Sequence, residues 1–156
     1  MPNDSEAKLD EIVDAVAAGS RVLVGIAARS LDRCGADITL AQCRALVTLA
    51  QIGPLSLVGL ADALAVNPST ATRMCDRLVA KDLIARKRLD GGVSLSPTQA
   101  GIDVVRTVNQ ARREELRGIV TQLGEHERAE IVRCMDAFRT AAGEVGEGGW
   151  ALGWWD

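Results

Sequence analysis

Apolar residues recur at spacings of three and four between residues 7 and 31: Leu9, Ile12, Val13, Val16, Leu23, Ile26, Ala27 and Leu31. That period predicts a long amphipathic helix, with Gly19 a tolerated weak point. CGAD ends it. Thr39 then reads as an N-cap, and LAQCRALVTLAQ follows with Leu40, Cys43, Leu46, Val47 and Ala50 on one face. IGP stops this second helix, because proline bars the preceding residue from helical geometry. Ser56 caps a short third helix, LVGLADALA, with Leu57, Leu60, Ala61 and Leu64 inward. After a turn at Val66, Asn67 at the N-cap and Pro68 at the first helical position start a fourth helix, from about Pro68 to Lys81.

The period then changes. LIARKR and GVSLS alternate apolar and polar residues around Asp90-Gly91-Gly92, which predicts two short antiparallel strands joined by a hairpin turn. Pro97 and Thr98 open a fifth helix running past Ile102, Val105, Val108, Leu116, Ile119 and Val120. Gly124 breaks it. A last helix spans about 125–142 with Ile131, Cys134, Met135 and Phe138 expected inward, and a Gly- and Trp-rich tail, 143–156, is expected to be flexible.

Charge sharpens the picture at one place. Residues 67–88 hold Arg73, Arg77, Lys81, Arg86, Lys87 and Arg88 against Asp76 and Asp82, a net +4. The whole chain carries −3, so −7 lies elsewhere. Helix, short helix, tight turn, capped helix and hairpin is the order of a winged helix-turn-helix, in which the helix after the turn enters the DNA major groove. Ala71, Met74, Cys75 and Leu78 fall on one face of that helix, leaving Ser69, Thr70, Thr72, Arg73, Asp76 and Arg77 outward. Short hydroxyl side chains at a helix N-terminus let the backbone approach phosphate, and an arginine one turn on can fork onto a guanine edge. A merely solvated face would explain Arg73 and Arg77 but not the Ser-Thr-x-Thr cluster. The expected contacts are Asn67, Pro68, Ser69, Thr70, Thr72, Arg73 and Arg77, with Arg86, Lys87 and Arg88 from the strand.

Composition excludes more than it adds. Of the aromatic residues there are one Phe, three Trp and no Tyr, so the core is aliphatic. The acidic, polar start MPNDSEAKLDE is the opposite of a secretion signal, and no apolar run approaches membrane-spanning length, which predicts a cytoplasmic protein with no membrane partner. Cys34, Cys43, Cys75 and Cys134 form no C-x-x-C pair, and His126 is the single histidine, so neither a metal site nor a nucleophile–histidine set is expected. Neither an enzyme nor a cofactor is predicted.

ITLAQCRALVTLAQ, LSLVGLADALAVNPSTATRMCDRLVAKDLIARKR and VSLSPTQAG together resemble MarR-type transcriptional regulators, over about residues 7–142. The resemblance implies a mainly α fold with a small β-hairpin wing: a winged helix-turn-helix core at about 39–97 inside a single domain, 1–142, with dimerisation helices at about 7–33 and 98–142. It implies a homodimer whose recognition helices meet successive major grooves of a pseudo-palindromic operator, acting as a repressor released by a small lipophilic or aromatic acid. Arg21, Arg29 and Arg44 are the candidate anchors for such a ligand, with surface salt bridges as their other use. The wing departs from the family pattern: it is only LDGG, without the usual tip arginine, so Asp76 is expected to lose its partner, and a smaller footprint, weaker binding or an altered wing orientation is expected. Two other readings stay open. One is a cysteine-based redox regulator, poorly matched because Cys34 is expected to fall after the first helix. The other is a winged-helix protein-interaction module without operator binding, with WALGWWD as its docking motif.

Overall fold

The computed structural model describes residues 4–89 and 92–143. The expectations for Asp90 and Gly91 at the wing tip and for the Trp-bearing tail beyond Gly143 fall outside the described residues. The elements follow in the order α1 (Asp4–Cys34), α2 (Leu40–Ile52), β1 (Leu55–Ser56), α3 (Leu57–Leu64), α4 (Pro68–Ala80), β2 (Ile84–Leu89), β3 (Gly92–Pro97), α5 (Gln99–Val120) and α6 (Glu125–Ala141). The fold is mainly helical with a small antiparallel sheet, a winged helix-turn-helix.

The helix starts are set by side chains that accept otherwise unpaired backbone N–H groups. Thr39 and Gln42 form a reciprocal box, at 3.2 Å from Gln42 N to Thr39 Oγ1 and 2.9 Å from Thr39 N to Gln42 Oε1. Ser56 Oγ accepts from Gly59 N at 3.0 Å, and Thr98 Oγ1 from Gly101 N at 3.1 Å. α2 ends at Gly53, whose φ of 95° favours glycine.

β1 is an addition to the expected two-stranded hairpin. It pairs Leu55 with Leu95 and Ser56 with Ser94, giving the order β1-β3-β2. Two residues are too few to show an alternation, which is why the pattern missed it.

The core lies where α2, α3, α4, the sheet and the first half of α5 meet. Leu46, Leu49, Leu60, Leu78, Ile84, Leu95, Val105 and Val108 are fully buried there. The interior is aliphatic, as composition requires.

One expectation about an inward face needs correction. On α6, Ile131, Met135 and Phe138 are 40%, 53% and 55% exposed, Cys134 is also exposed, and no residue of the helix is buried. On α1, residues 5–24 are exposed throughout, including Leu9, Ile12, Val13, Val16 and Leu23, and burial begins only near Ile26. Leu40 of α2 is exposed as well. Periodicity identifies an apolar stripe but not what covers it, and among the described residues nothing covers these. α1 also runs three residues past Leu31, so Cys34 is its last residue and does not follow it.

The start of α5 is pressed against the turn between α4 and β2. Thr98 N donates to the Leu83 carbonyl at 3.1 Å, and Thr98 Oγ1 donates to the Asp82 carbonyl at 2.6 Å. A Cβ on Gly101 would sit 2.0 Å from Leu83 O, a backbone atom that cannot swing away. Gly101→Ala is therefore expected to destabilise the fold by about 3 kcal/mol, the upper part of the range for overpacking. A urea unfolding curve measures it, and a change below about 0.5 kcal/mol would contradict the close approach.

Candidate nucleic-acid interface

α4 is divided between core and solvent as its spacing predicts. Ala71, Met74, Cys75 and Leu78 are buried, whereas Asn67, Pro68, Ser69, Arg73, Asp76 and Arg77 are exposed and Thr70 and Thr72 half-buried. Asn67 Oδ1 organises the exposed start: it accepts from Thr70 N at 2.8 Å and from Ser69 Oγ at 2.7 Å. Thr72 Oγ1 donates to the Pro68 carbonyl at 2.8 Å, and Arg73 Nε lies 3.4 Å from the Ser69 carbonyl. The two hydroxyl protons are thus used inside the first turn. What Ser69 and Thr72 present outward is lone pairs, which suit an amino donor on a base edge; a phosphate contact would require the hydroxyl to turn.

The strand cations divide by face. Cross-strand pairs Ile84–Pro97, Arg86–Leu95 and Arg88–Val93 alternate with Ala85–Ser96 and Lys87–Ser94. Arg86 and Arg88 therefore share the face of buried Ile84 and Leu95, and Lys87 lies on the other.

Asp76 is not left without a partner, contrary to the expectation from the wing's missing tip arginine. Arg86 Nη2 lies 2.5 Å from Asp76 Oδ1, joining β2 to α4. The partner comes from the strand stem, ten residues along the chain. Lys81 is also occupied, 2.9 Å from Asp37 Oδ2 in the turn between α1 and α2, and it holds the Asp37 carboxyl below its usual range chiefly through that hydrogen bond. Among the described residues, Arg73, Arg77, Lys87 and Arg88 have no carboxylate partner, which concentrates the accessible positive charge on the outer face of α4 and the wing stem.

A family model for the MarR family matches residues 38–91, the segment from the start of α2 to the wing. The structure is similar to RV1404 from Mycobacterium tuberculosis, at 41% identity and a TM-score of 0.81 over 88% of this chain and 96% of that one. A MarR family protein from Bacillus stearothermophilus matches at 23% identity and a TM-score of 0.77, over 92% of this chain and 99% of that one. The chain belongs to the MarR family. A variant of MepR from Staphylococcus aureus, bound to an oligodeoxyribonucleotide, shares the fold at 22% identity and a TM-score of 0.62, over 84% of this chain and 97% of that one. No curated protein matches the chain. MarR family members are transcription regulators.

The structure does not bring the three candidate ligand arginines of this MarR family chain together. Arg21 is exposed on α1. Arg29 forks onto Glu115 of α5, with Nε at 2.9 Å and Nη2 at 2.5 Å from Oε1. Arg44 Nη1 reaches the Leu64 carbonyl at 3.3 Å, at the end of α3. Sequence reasoning missed Arg112, whose Nε is buried without a hydrogen-bond partner, as is Glu115 Oε2. Arg112 follows buried Ala111 and lies one turn after Val108, so its place at the edge of the α5 core stripe was the available signal.

Burial pushes the Cys43 and Cys75 thiols up, which disfavours the reactive thiolate. Among the described residues no group of side chains could hold a metal ion, and no helix is long and apolar enough to cross a membrane.

The hydrogen bond from Arg29 holds the Glu115 carboxyl below its usual range, against a smaller opposing effect of burial. A depressed carboxylate stabilises the fold fully above its unfolded pKa, and that contribution disappears as pH falls through the folded value. Glu115→Gln should thus be less stable than the wild type at neutral pH, and the difference should shrink as pH falls below the ordinary glutamate range. Urea midpoints across that range test it; a difference independent of pH would assign the effect to packing.

Proposed function

We propose that the protein is a homodimeric, sequence-specific double-stranded-DNA-binding regulator, a repressor released by a small ligand. The observation that carries the DNA reading is the divided α4: one face buried in the core, the other exposing Ser69, Arg73 and Arg77 beside Lys87 and Arg88 on the wing stem. In this reading Asn67, Pro68, Ser69, Thr70 and Thr72 set the helix start against the groove, Arg73 reads a base edge, and Arg77, Lys87 and Arg88 hold phosphates. The DNA-bound MepR relative supports the same use of the fold. The −7 outside residues 67–88 repels DNA from the other faces and orients this one.

The dimer reading rests on α6 and α1. A 17-residue helix that buries nothing, and a 31-residue helix exposed over residues 5–24, carry Leu9, Ile12, Val13, Val16, Ile131, Val132, Met135 and Phe138 on the surface. Apolar surface on that scale calls for a partner, and a second copy supplies matching faces about a two-fold axis. The segments at about 7–33 and 98–142 are the dimerisation helices in this reading, and 39–97 is the DNA-reading core. For the effector, an acid would find Arg29 and Arg44 already engaged, whereas Arg112 retains a buried N–H to offer. A ligand acts only through a difference in affinity between two spacings of the recognition helices.

Selection from a duplex library is expected to yield a pseudo-palindrome with half-sites about one helical turn apart. Arg73→Ala should weaken binding to it by about ten-fold, in line with about 1–3 kcal/mol for a good base contact. Affinity should also fall steeply with salt, because phosphate contacts release counterions. Selection of no sequence, with Arg73→Ala unchanged, would sink the reading. Sedimentation is expected to give a dimer, and Phe138→Glu a monomer or an aggregate; a monomeric wild type would remove the dimer.

A further inference from the structure

We propose that residues 144–156 dock into the cleft between the end of α5 and the start of α6 of their own chain, an acidic, tryptophan-bearing segment closing on an arginine-rimmed apolar surface. The inference concerns a different surface from α4 and the wing, and it is independent of the DNA reading above.

The α5 side of the cleft is a single helical stripe. Arg113, Leu116, Arg117, Val120 and Thr121 recur at the spacing of one face, which sets two apolar side chains among guanidinium groups. Arg128 faces them from α6, and the six residues line a cleft of about 340 Å³. Arg128 is fixed there: its Nε donates to the Val120 carbonyl at 3.0 Å and its Nη2 to the Thr121 carbonyl at 2.9 Å, at the end of α5. Those bonds use N–H groups in the guanidinium plane and leave its flat face for an aromatic ring. Arg117 has no carboxylate partner among the described residues. Two acids of α6 are taken, Glu127 by the backbone N–H of Gly124 and Glu130 by Arg133. The cleft is thus apolar and positive in one place, which suits an anion with an apolar body.

The chain itself carries such a segment. EVGEGGWALGWWD holds Glu144, Glu147 and Asp156, no cation, and all three tryptophans of the protein. The acidic start of α1 on a second copy is the competing occupant, but it has no aromatic ring to lay on a guanidinium and carries Lys8 among its acids. Reach also favours the tail. From Arg128 to Ala141, α6 rises roughly 20 Å. An extended chain covers at most about 3.5 Å per residue, so Trp150 just spans the return from Gly143, and Trp154 and Trp155 do so with slack. No described residue of α6 is buried, so the helix offers an open flank to a segment running back along it. An indole that docks removes about 150–250 Å² from water. A contact with Arg117 or Arg128 adds a cation–π attraction. The docked tail then clasps α6 to the end of α5 across the turn at Gly124.

Because Trp150, Trp154 and Trp155 are the protein's only tryptophans, fluorescence of the intact chain reports the tail alone. Acrylamide quenching is measured for the wild type, for Arg117→Glu, for a tail combining Glu144→Gln, Glu147→Gln and Asp156→Asn, and for a synthetic peptide of residues 144–156. Circular dichroism checks the fold of each protein and sedimentation its oligomeric state. Docking predicts wild-type emission shifted to the blue and quenched about three-fold less than the peptide, as for an indole out of water. Arg117→Glu and the neutralised tail should each move quenching towards the peptide value, weakening the docking equilibrium by about three- to ten-fold. Wild-type tryptophans quenched as readily as the peptide overturn the proposal, and so do shielded tryptophans that ignore both variants. The neutralised tail decides alone if Arg117→Glu does not fold. A mixed dimer separates the two copies: Arg117→Glu chains are paired with chains carrying Trp150→Phe, Trp154→Phe and Trp155→Phe. Exposed emission from that pair supports docking on the same chain, and shielding restored by the other copy's intact cleft overturns it.

Discussion

The carbonyl groups of Asp82 and Leu83 are the point on which the reading head is assembled. The N–H groups of the same two residues close the turn that follows α4, on the Val79 and Leu78 carbonyls, while Thr98 takes the Asp82 carbonyl with its hydroxyl and the Leu83 carbonyl with its backbone N–H. Gly101 then lets α5 lie against Leu83 with no room for a side chain. Recognition helix, wing and long helix are thereby fixed to one another within four residues of α5. Local capping could not do this alone, because a cap fixes where a helix begins but not what it leans on. The close approach fixes the second.

With that junction in place, electrostatics decides which charges are available. Sequence counts six cations between 67 and 88, but two of them are committed within the chain: Arg86 to Asp76 and Lys81 to Asp37. Each of these pairs is exposed enough to contribute little to stability. Their effect is on placement. Lys81 ties the end of α4 to the turn after α1, and Arg86 ties the wing to α4. The remaining Arg73, Arg77, Lys87 and Arg88 then stand on elements whose relative position is constrained, which is what recognition of a regularly spaced polyanion requires.

Much of this was legible beforehand, and what was not has identifiable reasons. The split of α4 followed from apolar spacing alone, since Ala71, Met74, Cys75 and Leu78 share a face at any helical geometry. Thr39, Ser56, Asn67 and Thr98 announced helix starts because each is a short acceptor placed where N–H groups need one. The Asp76–Arg86 pair was hidden because it joins a helix to a strand across a turn, a geometry that no fixed periodicity encodes. Arg112 was hidden among similar neighbours in ARREELR, where burial depends on α1 and α2 packing from elsewhere. The face of α6 was read correctly as apolar and wrongly as covered within the chain, and the apolar stripe of α1 is likewise exposed as far as Val24. A stripe at helical spacing looks the same whether its own protomer or another copy buries it.

That last ambiguity bears on how a signal could pass through the molecule. α5 begins at the Leu83 junction and ends among exposed Ile119 and Val120, beside α6. Its first half is core and its last turn, from Arg117 to Val120, is exposed. Between the two, Glu115 is held by Arg29 of α1, with Arg112 one turn before it. A dimer closed over α1, α5 and α6 would therefore set the separation of the two α4 helices through α5, because Gly101 leaves no slack where α5 meets the reading head. A ligand that engaged Arg112 or displaced Arg29 would act at the middle of that lever. Its effect on DNA would come from tilting α5 on α1, with no change required inside the winged helix itself.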